Sequence, residues 1–429
     1  MYQKLKLKNK ANVILVPKSE SRSLTLLVLY KVGSRYEDSK INYGASHFLE
    51  HLMFKGTKKR PTTLDISKEL DGIGAEFNAY TGKDHTGYYI KSNAEKFSLA
   101  CDILSDMLTN SLFLAKEIKR EKGVIIEEIK MYEDQPMFFA EILFERLVFS
   151  GNSLARDIAG TENSIREMKR KDLLDYLNLF YKPENSVIVV AGKIDKRTND
   201  LLNKYFVQQK SAGGKGKDTD QKNKFAKFID KQKEPRLLFE YRNTKQVHLA
   251  LGFPAYSYFH PDLYALYLLS IILGGNMSSR LFINVRERKG LCYYIKSQAD
   301  VYQDTGNLII RSGLDLNKIK PALSVIISEL RKIREKGVSQ KELEMAKEFL
   351  KGRLTLQLEE SNSLAEFYGK QLILTDEILT PEQKFKKIFS VTQTQVNKVA
   401  KDLIKSDKLN LAMISPFKDK KEFFKLLKI

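Results

Sequence analysis

The chain has 429 residues, of which 42% are hydrophobic and 29% are charged. This length exceeds what one hydrophobic core usually holds, so it predicts a soluble globular protein of two or three domains. With only two cysteines, Cys101 and Cys292, the sequence excludes a disulfide framework and a cysteine-based metal site.

The net charge of +20 suits nucleic acid, an anionic membrane surface or acidic substrates as partners. However, the lysines are spread along the whole chain among 53 acidic residues, and no nucleic-acid-binding motif accompanies them. A solvated lysine-rich surface explains the charge better, so we predict no nucleic-acid partner.

The sequence contains no visible targeting or membrane-spanning segment. Residues 1–8 alternate like a strand and lack the apolar run of a signal peptide. The longest apolar run, 263–273, is too short to cross a bilayer. These features predict no membrane span and a cytoplasmic location, with export that needs no cleaved signal as the alternative.

The first half of the chain mixes strand and helix patterns. Apolar alternation predicts strands at 2–7, 13–16, 24–32, 75–81, 86–92 and 186–192. Helical periodicity predicts helices at 63–70, 94–109 and 115–132, and a further helix that starts near Gly44 and ends at Gly56.

The second half repeats this order of elements, and residues 380–414 mirror residues 161–192. We therefore predict an α+β fold of two homologous α/β-roll domains, each an antiparallel-rich sheet flanked by helices. The domains are placed at 1–208 and 234–429, and a lysine-rich linker at 209–233 joins them.

One motif organises the first half. In a helix, His47, Glu50 and His51 lie at i, i+3 and i+4, so their side chains share one face. Two imidazoles one turn apart can reach one zinc ion, and the glutamate between them is placed to take a proton from a water molecule that the metal activates. The alternative is a pair of surface histidines. It is disfavoured because the chain has only five histidines. The corresponding helix of the second half, 262–273, lacks the motif, which predicts an inactive repeat.

A second helix carries a stripe of carboxylates. Glu117, Glu121 and Glu128 fall on one face of the helix at 115–132 and repel one another unless something positive faces them. An exposed acidic face is one interpretation; a third zinc ligand with a supporting carboxylate is the other. Glu127 lies about 100° away from Glu128 and is the poorer candidate.

Several segments together resemble the pitrilysin-type inverzincin metallopeptidases, the group that contains mitochondrial processing peptidase and insulin-degrading enzyme. The resemblance covers nearly the whole chain. The segments are residues 47–51 (His-Phe-Leu-Glu-His), 54–57 (Phe-Lys-Gly-Thr), 77–81 (Phe-Asn-Ala-Tyr-Thr), 120–128, 156–161 and 277–282.

The resemblance implies roles for particular residues. His47 and His51 are similar to the family's zinc ligands, Glu50 to its general base, and Glu128 to its third ligand, which implies one Zn²⁺ per chain. Glu121 is similar to the family's supporting glutamate.

The substrate-binding residues also follow from the resemblance. Asn78 and Ala79 resemble the edge strand that pairs with the substrate backbone, although Asn78 could be a strand-end turn residue. Arg286 and Tyr293 are similar to an Arg…Tyr pair that binds substrate and stabilises the oxyanion. Their alternatives are a surface charge and a core residue, and Tyr294 competes with Tyr293.

These inferences predict a zinc-dependent endopeptidase that hydrolyses unfolded peptides or presequence-like segments. Relatives of this length resemble homodimers that close like a clamshell, with the Arg/Tyr pair of one subunit serving the zinc site of its partner. The alternatives are a non-catalytic partner or scaffold subunit of the same fold and, less favoured, a basic nucleic-acid-binding protein.

Overall fold

The computed structural model describes residues 2–37, 42–207, 225–417 and 421–429. Most of the predicted linker, 209–224, lies outside these residues, while 225–233 forms neither a helix nor a strand. Within the described ranges, no helix has the combined length and apolar character that a membrane crossing requires.

The described residues form strands and helices in both halves of the chain. The strands are β1 (Gln3–Lys6), β2 (Asn12–Pro17), β3 (Ser23–Tyr30), β4 (Glu76–Thr81), β5 (Thr86–Asn93), β6 (Ser186–Gly192), β7 (Arg236–Tyr241), β8 (Gln246–Ala255), β9 (Cys292–Val301), β10 (Gly306–Asp315) and β11 (Asn410–Ser415).

The α-helices of the first half are α1 (Ala45–Leu52), α2 (Thr63–Asp71), α3 (Phe97–Asn110), α4 (Ala115–Glu133), α5 (Pro136–Val148), α6 (Glu162–Glu167), α7 (Arg170–Phe180) and α8 (Thr198–Leu202). Those of the second half are α9 (Leu263–Ser270), α10 (Ile319–Lys336), α11 (Gln340–Gln357), α12 (Ser361–Thr375), α13 (Pro381–Phe389), α14 (Gln393–Leu403) and α15 (Lys421–Leu426).

Two mixed sheets have the same strand order. The first sheet runs β1-β2-β6-β3-β5-β4 and the second runs β7-β11-β8-β10-β9. Each contains one parallel pair, β2 with β6 and β7 with β11, and its other neighbours are antiparallel. Apart from the additional β1, the two sheets correspond strand for strand, as a duplicated fold requires.

The chain forms two compact units that are not contiguous in sequence. The first comprises 1–129, 156–225 and 354–380, and the second comprises 130–155, 226–353 and 381–429. Thus α5 packs on β8 and β11 in the second unit, whereas α12 packs on β3 and β6 in the first. The division into domains at 1–208 and 234–429 stays a prediction about where each repeat begins and ends.

The exchanged helix α12 lies close to the first sheet because a glycine faces it. A Cβ at Gly369 would meet Leu29 Cδ1 at 2.7 Å and Val189 Cγ2 at 2.9 Å. Even alanine at this position would push the helix away from the strands or displace both side chains. The glycine therefore sets the spacing between α12 and the sheet.

Helix α1 is fixed by its apolar face and by glycines at both sides. It follows Gly44, whose φ of +90° other residues rarely adopt, and it buries Phe48, Leu49 and Leu52 completely or nearly so. The helix ends at Leu52, so the predicted stop at Gly56 is wrong. Gly56 instead permits a close backbone approach, because a Cβ there would lie 2.3 Å from the Pro61 carbonyl oxygen.

Candidate metal centre

Three side chains from two helices of the first unit converge. His47 and His51 project from α1 and Glu128 from α4, and their donor atoms all lie within 4.8 Å of one another. Glu128 Oε2 is 3.5 Å from His47 Nε2 and 3.4 Å from His51 Nε2. Neighbouring ligands of a tetrahedral zinc lie about 3.3 Å apart when the bonds are about 2.0 Å. The donor set and its spacing therefore fit zinc.

The sequence explains why these donors meet. One turn of α1 stacks the two imidazoles, whose ring centroids are 4.7 Å apart. Helix α4 buries Ile118, Ile125 and Ile126 on its inner side, which leaves Glu128 half-buried on the adjoining face. Glu127, the poorer candidate by its rotation, is exposed.

His51 is anchored by a chain of charged groups behind it. Its Nδ1 lies 3.2 Å from Glu121 Oε2, and Glu121 Oε1 accepts a hydrogen bond from Lys55 Nζ at 2.9 Å. Glu121 is almost completely buried, yet its bonds to His51 and Lys55 outweigh burial and hold its pKa below the usual range. This arrangement favours a proton on Nδ1 of His51 and leaves Nε2 free to bind a metal.

The two imidazoles differ in their electrostatics. Burial lowers the pKa of His47 to about 4, and its Nδ1 has no hydrogen-bond partner among the described residues. Burial acts in the same direction on His51, but the carboxylates of Glu121 and Glu128 outweigh it and raise the pKa to about 9. At neutral pH the His47 imidazole is therefore uncharged and can donate an electron pair to a metal. The His51 imidazole is protonated on both nitrogens and must first lose one proton.

We expect zinc binding to the metal-free protein to release about one proton at neutral pH. Because the raised pKa keeps His51 charged until the pH passes about 9, zinc must displace that proton below this pH. The apparent dissociation constant for zinc should therefore rise about tenfold for each unit by which the pH falls, from roughly pH 8 down to pH 6. Titration calorimetry in buffers of different ionisation enthalpy measures the released protons directly. A pH-independent affinity over this range would contradict the expectation.

We also expect Lys55→Met to weaken zinc binding about 10- to 100-fold, the usual effect of losing an outer-shell partner. Without the ammonium, the buried Glu121 carboxylate loses a hydrogen bond of 2.9 Å and takes up a proton more readily, which loosens its hold on His51. Competition with a chromogenic chelator measures the affinity. Lys58→Met is the matched control, since Lys58 is an exposed lysine of the same loop, and it should bind zinc as the wild type does.

Glu50 lies beside this cluster with its carboxylate held in place. Thr81, the last residue of β4, donates a hydrogen bond from Oγ1 to Glu50 Oε2 at 2.6 Å. Burial raises the pKa of Glu50 above the ordinary range, and the Thr81 bond opposes this shift. A partly buried carboxylate with a raised pKa is suited to accept and return a proton near neutral pH.

Asn78 and Ala79 lie in β4, the strand at the edge of the first sheet. Edge strands present backbone groups with which another extended chain can pair. The Ala79 N–H donates to the Asn78 side-chain oxygen at 2.8 Å. A peptide that paired with this N–H would have to displace the Asn78 side chain.

Arg286 and Tyr293 belong to the second unit, whereas the three candidate ligands and Glu50 belong to the first. Arg286 is exposed, with its guanidinium 4.7 Å from the centre of the Phe282 ring. Tyr293 is 77% exposed at the start of β9. Its competitor Tyr294 instead contacts His248, 3.3 Å from hydroxyl to Nδ1. Tyr293 is thus the more exposed tyrosine of this pair, and its role stays a prediction.

Models of known protein families match most of the chain. The model described as insulinase (peptidase family M16) matches residues 12–162, and the model of the peptidase M16 inactive domain matches residues 167–350. The chain belongs to peptidase family M16. The predicted family is thereby confirmed, and the inactive-domain match lies entirely after the His-x-x-Glu-His motif.

Relatives of this M16 chain match it from end to end. The uncharacterized zinc protease YmxG of Bacillus subtilis is 36% identical over 97% of this chain and 98% of its own length. An uncharacterized zinc protease of Streptomyces coelicolor is 33% identical over 93% of this chain and 86% of its own length.

Solved structures share the fold. A protease from Helicobacter pylori superposes with a TM-score of 0.89 at 24% identity, covering 97% of this chain and 99% of that one. A structure described as the peptidase M16 inactive domain from Pseudomonas fluorescens superposes with a TM-score of 0.86 at 19% identity. The match covers 97% of this chain and 98% of that one. The predicted two-domain α+β fold is confirmed.

Sequence reasoning assigned no individual role to two residues beside the centre, Lys55 and Thr81. Lys55 supplies the positive charge that the carboxylate stripe was predicted to need, but it lies beyond the end of α1, so no helical spacing links it to His51. Thr81 reaches Glu50 from a different element, and no pattern in the sequence links the two.

Proposed function

We propose that the protein is a zinc-dependent endopeptidase that hydrolyses unfolded peptides or presequence-like segments. The observation that carries the proposal is the convergence of His47, His51 and Glu128 within 4.8 Å, with the separately held carboxylate of Glu50 beside them. Three donors leave a fourth position of a tetrahedral metal for water or substrate, which distinguishes catalytic from structural zinc sites.

In this proposal three residues bind the metal and a fourth, Glu50, acts as the general base. Zinc, when bound by His47, His51 and Glu128, supplies a Lewis acid that lowers the pKa of water and polarises a peptide carbonyl. Glu50 accepts the proton of the attacking water and later returns it to the leaving amine. Glu121 and Lys55 orient His51.

Substrate recognition is assigned to the remaining predicted residues. The edge strand β4, with Asn78 and Ala79, would pair with the extended backbone of a peptide, and Thr81 on the same strand would couple that pairing to Glu50. Arg286 and Tyr293 would bind substrate and the oxyanion. We further propose a cytoplasmic homodimer that closes like a clamshell.

We expect Thr81→Val to lower kcat about tenfold with little change in KM. A hydrogen bond to a charged group contributes about 1.5–3 kcal/mol, and the isosteric valine removes it without leaving a gap. Thr81→Ser keeps the hydroxyl and should recover most of the activity. Steady-state kinetics at saturating zinc measure both constants; equal activity of the two variants would show that the hydroxyl has no role.

The test of the proposed function is hydrolysis of an internally quenched fluorogenic peptide by the purified protein. Activity should disappear on chelation and return when about one equivalent of zinc is added back. Bound zinc without hydrolysis of any peptide in a varied set would instead support the non-catalytic partner or scaffold alternative.

A further inference from the structure

Helix α1 carries His47, Glu50 and His51 but supplies no side-chain cap of its own. Its N-cap residue is Gly44, which has no side chain to accept the N–H groups of the first turn. The carboxylate of Glu37 takes this place from the preceding loop. Glu37 Oε2 accepts the Gly44 N–H at 2.9 Å, and Oε1 accepts the Ser46 N–H at 3.0 Å.

We propose that Glu37 is a positioning residue of the metal centre, which fixes the start of α1 and thereby the two imidazoles that bind zinc. The inference rests on the proposed zinc site and adds a residue outside the His-x-x-Glu-His motif to it. Ser46, one of the two donors, directly precedes His47, so a shift of the first turn would be passed on to the first imidazole.

The backbone of Glu37 is held by contacts of its own. Arg156 Nη1 donates to the Glu37 carbonyl oxygen at 2.5 Å, and its guanidinium stacks on the Tyr43 ring at 3.8 Å from the ring centre. Lys83 Nζ in turn donates to the Arg156 carbonyl oxygen at 2.5 Å. Backbone and side chain of Glu37 are therefore both fixed, as a positioning role requires.

Burial explains why this contact has few substitutes. Glu37 is 2% exposed, so water cannot replace its oxygens as partners of the two N–H groups. A glutamine at this position offers one oxygen and one NH₂ group, and the NH₂ would face an N–H donor. Burial raises the pKa of Glu37 to about 8, while the bonds from Ser46 and Gly44 oppose that shift because they favour the ionised form.

The test compares zinc affinity and thermal stability in Glu37→Gln and Thr62→Ala. Affinity is measured by chelator competition at pH 9, where Glu37 is ionised. Thr62 caps α2 in the same unit by accepting the Asp65 N–H, and α2 carries no candidate ligand. Both variants should melt at a lower temperature than the wild type. We expect Glu37→Gln to bind zinc about 10- to 100-fold more weakly and Thr62→Ala to bind it normally.

Each result decides the inference. Tight zinc binding by the wild type with equal affinity in Glu37→Gln, or an equal loss in both variants, overturns the role of Glu37 alone. A wild-type protein that binds no zinc overturns the proposed zinc site and this role together. If Glu37→Gln does not fold, Glu37→Asp, which shortens the reach of the same carboxylate, should show the weaker binding, and normal binding by it overturns the inference.

Discussion

Replacing Glu50 with glutamine should abolish peptide hydrolysis while leaving the zinc content at about one ion per chain. Glutamine keeps the size of the side chain and an oxygen that can accept the Thr81 hydroxyl. It cannot take a proton, and general acid–base catalysis contributes about 10²–10⁴-fold to such reactions. Because Glu50 would serve both proton transfers, we expect kcat to fall at least about 10³-fold.

Fluorogenic-peptide kinetics and elemental analysis on the same preparation measure the two effects separately. Glu127→Gln, a change of the same chemistry at an exposed site, should retain wild-type kinetics. Hydrolysis by Glu50→Gln within tenfold of the wild type would remove Glu50 from the role of base. Loss of zinc together with activity would assign it to metal binding instead.

Replacing Glu128 with glutamine should weaken zinc binding by more than about 100-fold, beyond the 10- to 100-fold typical of outer-shell residues. The change removes the anionic oxygen that lies 3.5 Å and 3.4 Å from the two imidazoles. It also removes a charge that helps to keep His51 protonated, since Glu128 raises the pKa of that imidazole. The direct loss of a ligand should outweigh the easier loss of the proton.

The adjacent residue supplies the control for this second experiment. Glu127 lies on the same helix and is rotated by about 100°, so Glu127→Gln changes the net charge equally at a residue that is not one of the three clustered donors. Chelator competition should separate the two variants by about two orders of magnitude or more. Equal affinities would mean that the carboxylate of Glu128 is not a ligand.

Local patterns predicted the parts of the centre that lie within one helix. The i, i+3, i+4 spacing of His47, Glu50 and His51 places them together on α1 whatever the rest of the chain does. The acidic stripe of α4 limited the candidates for the third donor to a few glutamates, and the family resemblance selected Glu128 among them. The structure brings that carboxylate to the imidazoles; its role as ligand stays a prediction.

Contacts between elements distant in sequence were beyond such patterns. Thr81 meets Glu50 across 31 residues, and Lys55, which lies beyond the end of α1 at Leu52, meets Glu121 of α4. A glycine with positive φ can end a helix or admit a close backbone contact, and Gly56 does the second. The sequence pattern is the same in both cases.

The fold itself followed from the repeated order of strands and helices, whereas the exchange of α5 and α12 between compact units did not. Neither helix sequence specifies the sheet on which the helix packs, because tertiary packing sets the partner sheet. On α12, Gly369 reflects this packing, but only once its neighbours Leu29 and Val189 are known.

The most direct test of the account is zinc K-edge X-ray absorption on the wild-type protein after reconstitution and dialysis. The proposed centre predicts one zinc per chain, with two imidazole nitrogens and oxygen ligands at about 2.0–2.2 Å and no sulfur. A zinc-free protein, a sulfur ligand or a spectrum without the outer-shell signal of two imidazoles would contradict it.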